Sequence, residues 1–173
     1  CHIYFNPNEI VFTRLPLFHS FGLNAGFLMP LFGGAKIFLY PTPLHYRLIP
    51  ELIYELGATI LFGTNTFFKG YARYAHPYDF NSLKVAVAGA EKLHNDTVQL
   101  WATKYGIRIM QGYGVTETSP VISVNNFMSH KLGTVGRLMP DMECYIKPVE
   151  GIERGGHLVV KGQNIMQGYL FHN

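Results

Sequence analysis

Short apolar runs alternate along the first part of the chain with longer stretches whose apolar residues recur at helical spacing. The runs predicted to be strands are residues 9–15, 35–40, 58–62, 83–88 and 107–110. Strands that alternate with helices of about a dozen residues are typical of βαβ units. The pattern therefore predicts an α/β fold with a mostly parallel sheet flanked by helices.

The segments between these strands carry the signals of helices. Residues 46–56 are predicted to be amphipathic, and Asn65 is predicted to cap the next helix. A third helix starts with the capping-box-like pair Asp96 and Gln99 and ends at Gly106. Its buried stripe is predicted to consist of Val98, Trp101, Ala102 and Tyr105.

After about residue 126 the pattern changes, because glycine and proline divide the chain into short extended runs. Residues 142–147 and 157–161 are the clearest of these runs. We therefore expect an α/β subdomain over residues 1–126 and a β-rich subdomain, a partial barrel, over residues 127–173.

Composition narrows the class of protein. Apolar residues make up 48% of the chain and charged residues 14%, which is typical of a folded globular body. The net charge of +3 comes without a run of Lys or Arg, so that nucleic acid is not an expected partner. Cys1 and Cys144 have no metal-type spacing and suggest no disulfide, which favours a reducing compartment.

The most lipid-like window, residues 21–40, is not predicted to cross a membrane. It contains Asn24, Pro30, Lys36 and a Gly-Gly pair, and it is interpreted as a helix, a turn and a strand. We expect a soluble piece of a longer protein, since the chain begins at Cys1 without Met and stops just after a Gly-Tyr pattern.

The strongest chemical signal is the segment QGYGVTETSP at residues 111–120. Gly112 and Gly114 have no Cβ and allow a close approach to the backbone, while Tyr113 presents a ring for stacking. Thr116 adds a hydroxyl and Glu117 a carboxylate, which suit a phosphate oxygen and a magnesium ion. The alternative is a simple turn with a buried Tyr and a solvated Glu.

Other candidate residues also follow predicted strands. His19 comes after the first strand, and Gly89 and Ala90 come after the fourth. Ligands of parallel α/β sheets gather at the carboxyl ends of the strands, so we expect these loops to form one site. A histidine between Phe18 and Phe21 is also compatible with a satisfied core residue.

Several segments together resemble the motifs of the AMP-forming (adenylate-forming) acyl-activating enzymes. These segments are PLFHSFG at 16–22, AGAEKL at 88–93, QGYGVTE at 111–117, GTVG at 133–136 with Pro140, and GHLVVKG at 156–162 followed by MQGY at 166–169. They occur in the family's order and cover nearly the whole chain. The resemblance implies a fragment of an adenylation domain.

Three segments are similar to one branch of this family in particular, the acyl-carrier-protein synthetase part of bacterial bifunctional 2-acylglycerophosphoethanolamine acyltransferases. They are YPTPLHYR at 40–47, LFGT at 61–64 and VAGAEKL at 87–93. This resemblance implies that a fatty acid and ATP give acyl-AMP, and that the acyl group then passes to the phosphopantetheine thiol of an acyl carrier protein. It further implies re-acylation of a lysophospholipid at the cytoplasmic face of the bacterial inner membrane.

The resemblance also implies roles for single residues. Tyr113 would stack on adenine, Thr116 would contact a phosphate oxygen and Glu117 would bind Mg²⁺, with His19 between the nucleotide and acyl pockets. The residues that would bind the nucleotide are Gly89, Ala90, Gln111, Gly112, Tyr113, Gly114 and Thr116, and the catalytic residues would be Thr116, Glu117 and His19.

The chain departs from the family's motifs at several positions. Ala88 replaces the usual Ser, Glu91 and Lys92 replace a small residue and Pro, and His157 replaces a Glu. The phosphate loop, the T-G-D motif and the lid with its catalytic Lys are not found, so the isolated chain is predicted to be inactive. Phe67, Phe68 and Tyr71 are compatible with an acyl tunnel or with plain core.

Other functional classes remain open at this point. A long-chain acyl-CoA synthetase of the same family is one alternative, and a non-catalytic module that binds a carrier protein or another partner is the second. A redox Rossmann domain fits poorly, because no G-x-G-x-x-G opens the first helix.

Overall fold

A computed structural model describes residue 3 and residues 5–170 of the chain. A seven-stranded sheet forms the centre of the fold. Its strands, in the spatial order β2-β1-β3-β4-β5-β6-β7, are β1 (Ile10–Thr13), β2 (Lys36–Leu39), β3 (Ile60–Gly63), β4 (Val85–Ala88), β5 (Ile109–Gly114), β6 (Val121–Val124) and β7 (Arg137–Leu138). Neighbours from β2 to β5 pair in parallel, whereas β6 and β7 are antiparallel. The predicted mostly parallel α/β fold is confirmed.

The helices connect the parallel strands. They are α1 (Ser20–Leu23), which continues through a π-helical turn (Asn24–Leu28) into α2 (Met29–Phe32), then α3 (Leu48–Leu56), α4 (Asn65–Tyr74) and α5 (Asn95–Tyr105). The lipid-like window is therefore a helix, a turn and a strand, as predicted. Among the helices of the described residues, none is long and apolar enough to span a membrane.

Apolar side chains pack on both faces of the sheet. On one face α3, α4 and α5 cover a core that includes Phe12, Leu61 and Trp101, all fully buried. On the other face the α1–α2 segment covers Val11, Phe62 and their neighbours. A strand that is buried on both faces has a continuous run of apolar residues, which explains why such strands could be predicted from the sequence.

Two predicted helix starts are wrong in detail. Thr64, not Asn65, caps α4 with its hydroxyl, while the Asn65 amide oxygen accepts the N–H of His94 at 3.0 Å. That bond ties the start of α4 to the start of α5. Asp96 forms no capping box, since its carboxylate binds the N–H of Thr97 instead.

The buried stripe of α5 is also narrower than predicted. Val98 and Trp101 are buried and Tyr105 is half-buried, but Ala102 is exposed. Phe68 packs edge-on against Trp101 with ring centroids 5.0 Å apart, so that Phe68 and Tyr71 belong to the core and not to an acyl tunnel.

The end of the described chain forms a separate hairpin. β8 (Glu143–Lys147) pairs antiparallel with β9 (His157–Lys161), which agrees with the extended runs expected there. β7, however, joins the seven-stranded sheet after residue 126. The division into subdomains at that residue stays a prediction. Cys144 lies exposed on β8, and Cys1 is outside the described residues.

Candidate functional site

A cavity of about 340 Å³ opens where β1, β4 and β5 end. The carboxyl ends of parallel strands share one edge of a sheet, which is why loops far apart in sequence meet there. The predicted site residues that line this cavity are His19, Gly89, Ala90, Gly112, Tyr113, Gly114, Thr116 and Glu117. Glu117 and Gly89 thus lie on the same edge of the sheet.

Gln111 is the predicted site residue that does not line this cavity. Side chains alternate between the faces of a strand, and Gln111 instead borders a small space of about 10 Å³ together with Asn125. Its carbonyl accepts the N–H of Asn125 at 2.9 Å. The predicted nucleotide-binding role of Gln111 gains no support from this placement.

One glycine of the segment, Gly114, is required by the protein's own backbone. A Cβ on Gly114 would lie 1.6 Å from the carbonyl oxygen of Pro120, so that only glycine fits where β5 and β6 approach each other. A Cβ on Gly112 would meet its nearest neighbour at 3.6 Å, an ordinary contact. Gly114 therefore serves the turn itself.

That turn is a short 3₁₀ segment over Thr116–Thr118, and the buried side chain of Thr118 holds it by hydrogen bonds. The hydroxyl oxygen of Thr118 accepts the N–H of Val115 at 3.2 Å and lies 2.7 Å from the carbonyl oxygen of Pro120. Thr118 is 2% exposed, whereas Thr116 is exposed toward the cavity. The Thr116 hydroxyl lies 3.4 Å from that of Ser20, which links the turn to α1.

His19 is exposed, which excludes the interpretation as a core histidine. Its Nδ1 accepts the N–H of Phe21 at 3.1 Å and thereby caps α1. Because Nδ1 is an acceptor here, the neutral ring carries its proton on Nε2. The cap fixes the imidazole at the mouth of the cavity, where Nε2 is a hydrogen-bond donor.

Glu117 is held by a tyrosine from the far end of the described chain. The hydroxyl of Tyr169 donates to Oε1 of Glu117 at 2.6 Å. This hydrogen bond lowers the pKa of Glu117, whose carboxylate is ionised at neutral pH. Within the described residues no group of three or more His, Cys, Asp or Glu side chains could hold a metal ion by itself.

The ring of Tyr113 is 40% exposed at the cavity. It is therefore not the buried tyrosine of a simple turn, and part of its side chain is available to a ligand in the cavity. Beside it, Ala90 has a left-handed φ of 66° at the end of β4. Glu91, next in sequence, accepts the backbone N–H of Thr66 at 2.5 Å, so this departure from the family motif links the loop after β4 to the first turn of α4.

A second, mostly apolar cavity of about 410 Å³ adjoins the first. The two cavities share Phe21, Val87, Pro120, Val121 and Val124. Its remaining apolar lining includes Ala25 in the π-helical turn, Met29 and Met139. π-Helical turns are common at functional sites.

The sequence interpretation missed the residues of this second cavity, because the acyl tunnel it considered was at Phe67, Phe68 and Tyr71, with plain core as the alternative. One sequence signal could have indicated this cavity. The helical segment after His19 is apolar on most of its faces, whereas a helix that packs on a single core needs only one apolar face. Ser20 and Tyr169 were also missed, although both lie inside motifs that the sequence analysis quoted.

Comparisons with known proteins agree with the fold. The family model described as AMP-binding enzyme matches residues 1–170. The long-chain-fatty-acid–CoA ligase of Yersinia pestis is 31% identical over 172 residues, which cover 93% of this chain and 30% of that protein.

Solved structures show the same arrangement of elements. ATP-bound MatB from Rhodopseudomonas palustris has a TM-score of 0.80 at 27% identity, over 95% of this chain and 34% of that one. A benzoate CoA ligase from Burkholderia xenovorans LB400 has a TM-score of 0.86 at 23% identity, over 96% and 35%. The chain thus spans roughly a third of these relatives' length. With the family model matched over almost every residue, this chain belongs to the AMP-binding enzyme family.

Proposed function

We propose that this chain forms part of a ligase that activates a long-chain fatty acid with ATP as acyl-AMP and then passes the acyl group to coenzyme A. The observation that carries the proposal is the pair of adjoining cavities. One has polar groups suited to a nucleotide, the other is apolar, and they meet at Phe21, Val87 and Pro120.

The first cavity offers several of the groups that would bind a nucleotide. The half-exposed ring of Tyr113 offers a stacking surface for adenine, with Gly89 and Ala90 beside it. Thr116 offers an exposed hydroxyl to a phosphate oxygen. His19, which caps α1 through Nδ1, keeps Nε2 as a donor at the first cavity.

Magnesium fits the site as a nucleotide-dependent ion. Glu117 provides one ionised carboxylate, and Mg²⁺ commonly binds through one or two carboxylates while phosphates and water complete its shell. When bound, the ion would neutralise negative charge on the phosphates. The part of this chain that the structure describes would therefore hold it through Glu117 together with the nucleotide.

The reaction divides into two steps. An oxygen of the fatty-acid carboxylate attacks the α-phosphorus, a C–O–P link forms, and the bond to the β-phosphate breaks to release pyrophosphate. A thiolate then attacks the acyl carbonyl carbon and AMP leaves. The cavity volume of about 410 Å³ beside Phe21 suits the acyl chain, since ligand pockets commonly measure 300–1,000 Å³.

The thiol acceptor is where the two enzyme hypotheses differ. The long-chain-fatty-acid–CoA ligases among the relatives favour coenzyme A. The branch-specific segments favour an acyl carrier protein, and with it lysophospholipid re-acylation at the inner membrane. Coenzyme A has the broader support, and the acyl-carrier-protein route remains a prediction from those segments.

The test is ATP–pyrophosphate exchange by the full-length protein with palmitate. We expect exchange that depends on the fatty acid, and Glu117→Gln is expected to reduce it roughly a hundredfold or more, because an amide does not supply the anionic ligand. The matched control is Glu150→Gln, an exposed change in the loop between β8 and β9.

Adding coenzyme A or acyl carrier protein then identifies the acceptor. Thioester formation with coenzyme A is the expected outcome. Exchange near the unmodified rate in Glu117→Gln contradicts the metal role, and exchange that ignores the fatty acid contradicts the proposed substrate.

A further inference from the structure

The segment that follows β9 returns to the turn that carries Thr116 and Glu117. The side-chain amide of Asn164 donates to the carbonyl oxygens of Thr118 at 2.6 Å and Val121 at 3.0 Å. The backbone N–H of Met166 donates to the carbonyl oxygen of Glu117 at 2.9 Å. Both ends of the turn are thus held by residues more than forty positions away in sequence.

Tyr169 adds a contact from this segment to the Glu117 side chain. Its hydroxyl lies 2.6 Å from Oε1, a short hydrogen bond of the charge-assisted kind. The tyrosine is 75% exposed, so burial of its ring does not explain where the side chain lies. The hydrogen bond accounts for its orientation.

We infer that Tyr169 is a positioning residue that orients the carboxylate of Glu117 for a divalent cation. This inference rests on the proposed function, because it assigns the cation to Glu117. By binding Oε1, Tyr169 fixes the plane of the carboxylate and leaves Oε2 for the ion. Without that bond the side chain of a partly exposed glutamate samples other rotamers, and ordering it again reduces affinity.

A competing role has the opposite consequence. If the Tyr169 hydroxyl occupies an oxygen that the ion needs, its removal strengthens binding of the ion. A purely structural role has a third consequence, since it changes nucleotide binding whether or not the ion is present. These roles are distinguished by measuring the affinity for ATP with Mn²⁺ and again with EDTA, both without fatty acid. The quantity compared is the ratio of the affinity with Mn²⁺ to the affinity in EDTA.

The experiment uses Tyr169→Phe in the full-length protein, because phenylalanine keeps the ring and removes the hydroxyl. The ratio of the two ATP affinities is expected to fall roughly two- to tenfold, the effect of freeing one ordered side chain. The affinity measured in EDTA and the melting temperature are expected to stay the same. Tyr145→Phe, at an exposed tyrosine on β8, is the matched control and leaves the ratio unchanged.

A double-mutant cycle with Glu117→Gln completes the test. Tyr169→Phe is expected to have no effect on the ratio once Glu117 is replaced. An unchanged or higher ratio in Tyr169→Phe overturns the inference, and so does an equal loss of affinity with and without Mn²⁺. If Glu117→Gln itself leaves the ratio intact, the metal role in the proposed function fails instead.

Discussion

At the scale of single residues, Tyr113 has two possible uses that predict different measurements. A ring that stacks on adenine contributes mainly to binding, whereas a core ring contributes mainly to stability. The side chain of Tyr113 is 40% exposed, whereas a core aromatic residue such as Tyr71 is 0% exposed, and this difference favours the binding role.

We expect Tyr113→Ala to weaken ATP binding by about 1–3 kcal/mol, the range for a base stacked on an aromatic side chain. Tyr113→Phe keeps the stacking face and should bind ATP nearly normally. Titration calorimetry with ATP and thermal melts of both variants make the comparison. A fall in melting temperature typical of a core truncation, with ATP affinity unchanged, contradicts the stacking role.

Arg14 shows how much a single buried residue depends on its surroundings. The side chain is 1% exposed, its Nη1 donates to the carbonyl oxygen of Phe62 at 2.5 Å, and its Nε donates to the Tyr71 hydroxyl. The guanidinium carbon lies 4.7 Å from the centre of the Tyr71 ring. Burial lowers the pKa of Arg14, and the Tyr71 contacts oppose that effect. Together these contacts tie the end of β1 to β3 and α4.

At the scale of elements, Lys104 of α5 caps the C-terminal end of α4. The ammonium of Lys104 donates to the carbonyl oxygens of Ala72 at 3.0 Å and Ala75 at 2.9 Å. These carbonyls lie at the negative end of the α4 dipole, where a cation is stabilising. The contact also places α4 and α5 side by side, above the sheet strands that end at the site.

We expect Lys104→Met to lower the free energy of unfolding by about 1–2 kcal/mol, because a half-buried cation at a helix end is lost. Lys69→Met is the control: it removes an exposed pair with Asp96 at 3.0 Å, and exposed pairs contribute about 0–1 kcal/mol. Urea unfolding of both variants gives the comparison. Equal losses in the two variants contradict a special role for the helix end.

At the scale of the whole molecule, acidic residues at opposite ends of the sheet make stability depend on pH. Burial raises the pKa of Glu9, but hydrogen bonds from Thr59 and Lys84 outweigh it and the net shift is downward. For Glu91, burial is likewise outweighed by hydrogen bonds from Thr64 and Thr66. Both carboxylates are therefore more acidic in the folded protein than in the unfolded chain.

A lowered folded pKa means that the unfolded chain takes up protons first as the pH falls. The stability from Glu91 is thus complete above its unfolded pKa of 4.5 and is lost as the pH falls through the folded value. We expect Glu91→Gln to flatten the loss of unfolding free energy between about pH 5 and 3. Chemical unfolding across that range is the measurement, with Glu150→Gln as control, and an unchanged slope in Glu91→Gln contradicts the assignment.

The sequence by itself determined the parallel strands, the longer helices and the edge of the sheet where the candidate site lies. Local spacing marks the buried strands and the helix faces, because those patterns follow from backbone geometry alone. The order of strands and helices then places His19, Gly89 and Glu117 at the same edge, since parallel strands end on one side. The resemblance to a known family supplied the chemistry expected there.

Only the tertiary structure decided which groups touch. The bond from Tyr169 to Glu117 joins residues 52 positions apart, and no local pattern encodes it. The apolar cavity beside Phe21 lies where the α1–α2 segment and the β5–β6 turn approach each other. Phe68, in contrast, packs against the ring of Trp101 in the core. Gly114 likewise is required by Pro120 across the turn, a contact that depends on how β5 meets β6. Periodicity reports which face of an element is buried, but the partner on that face is set by packing in three dimensions.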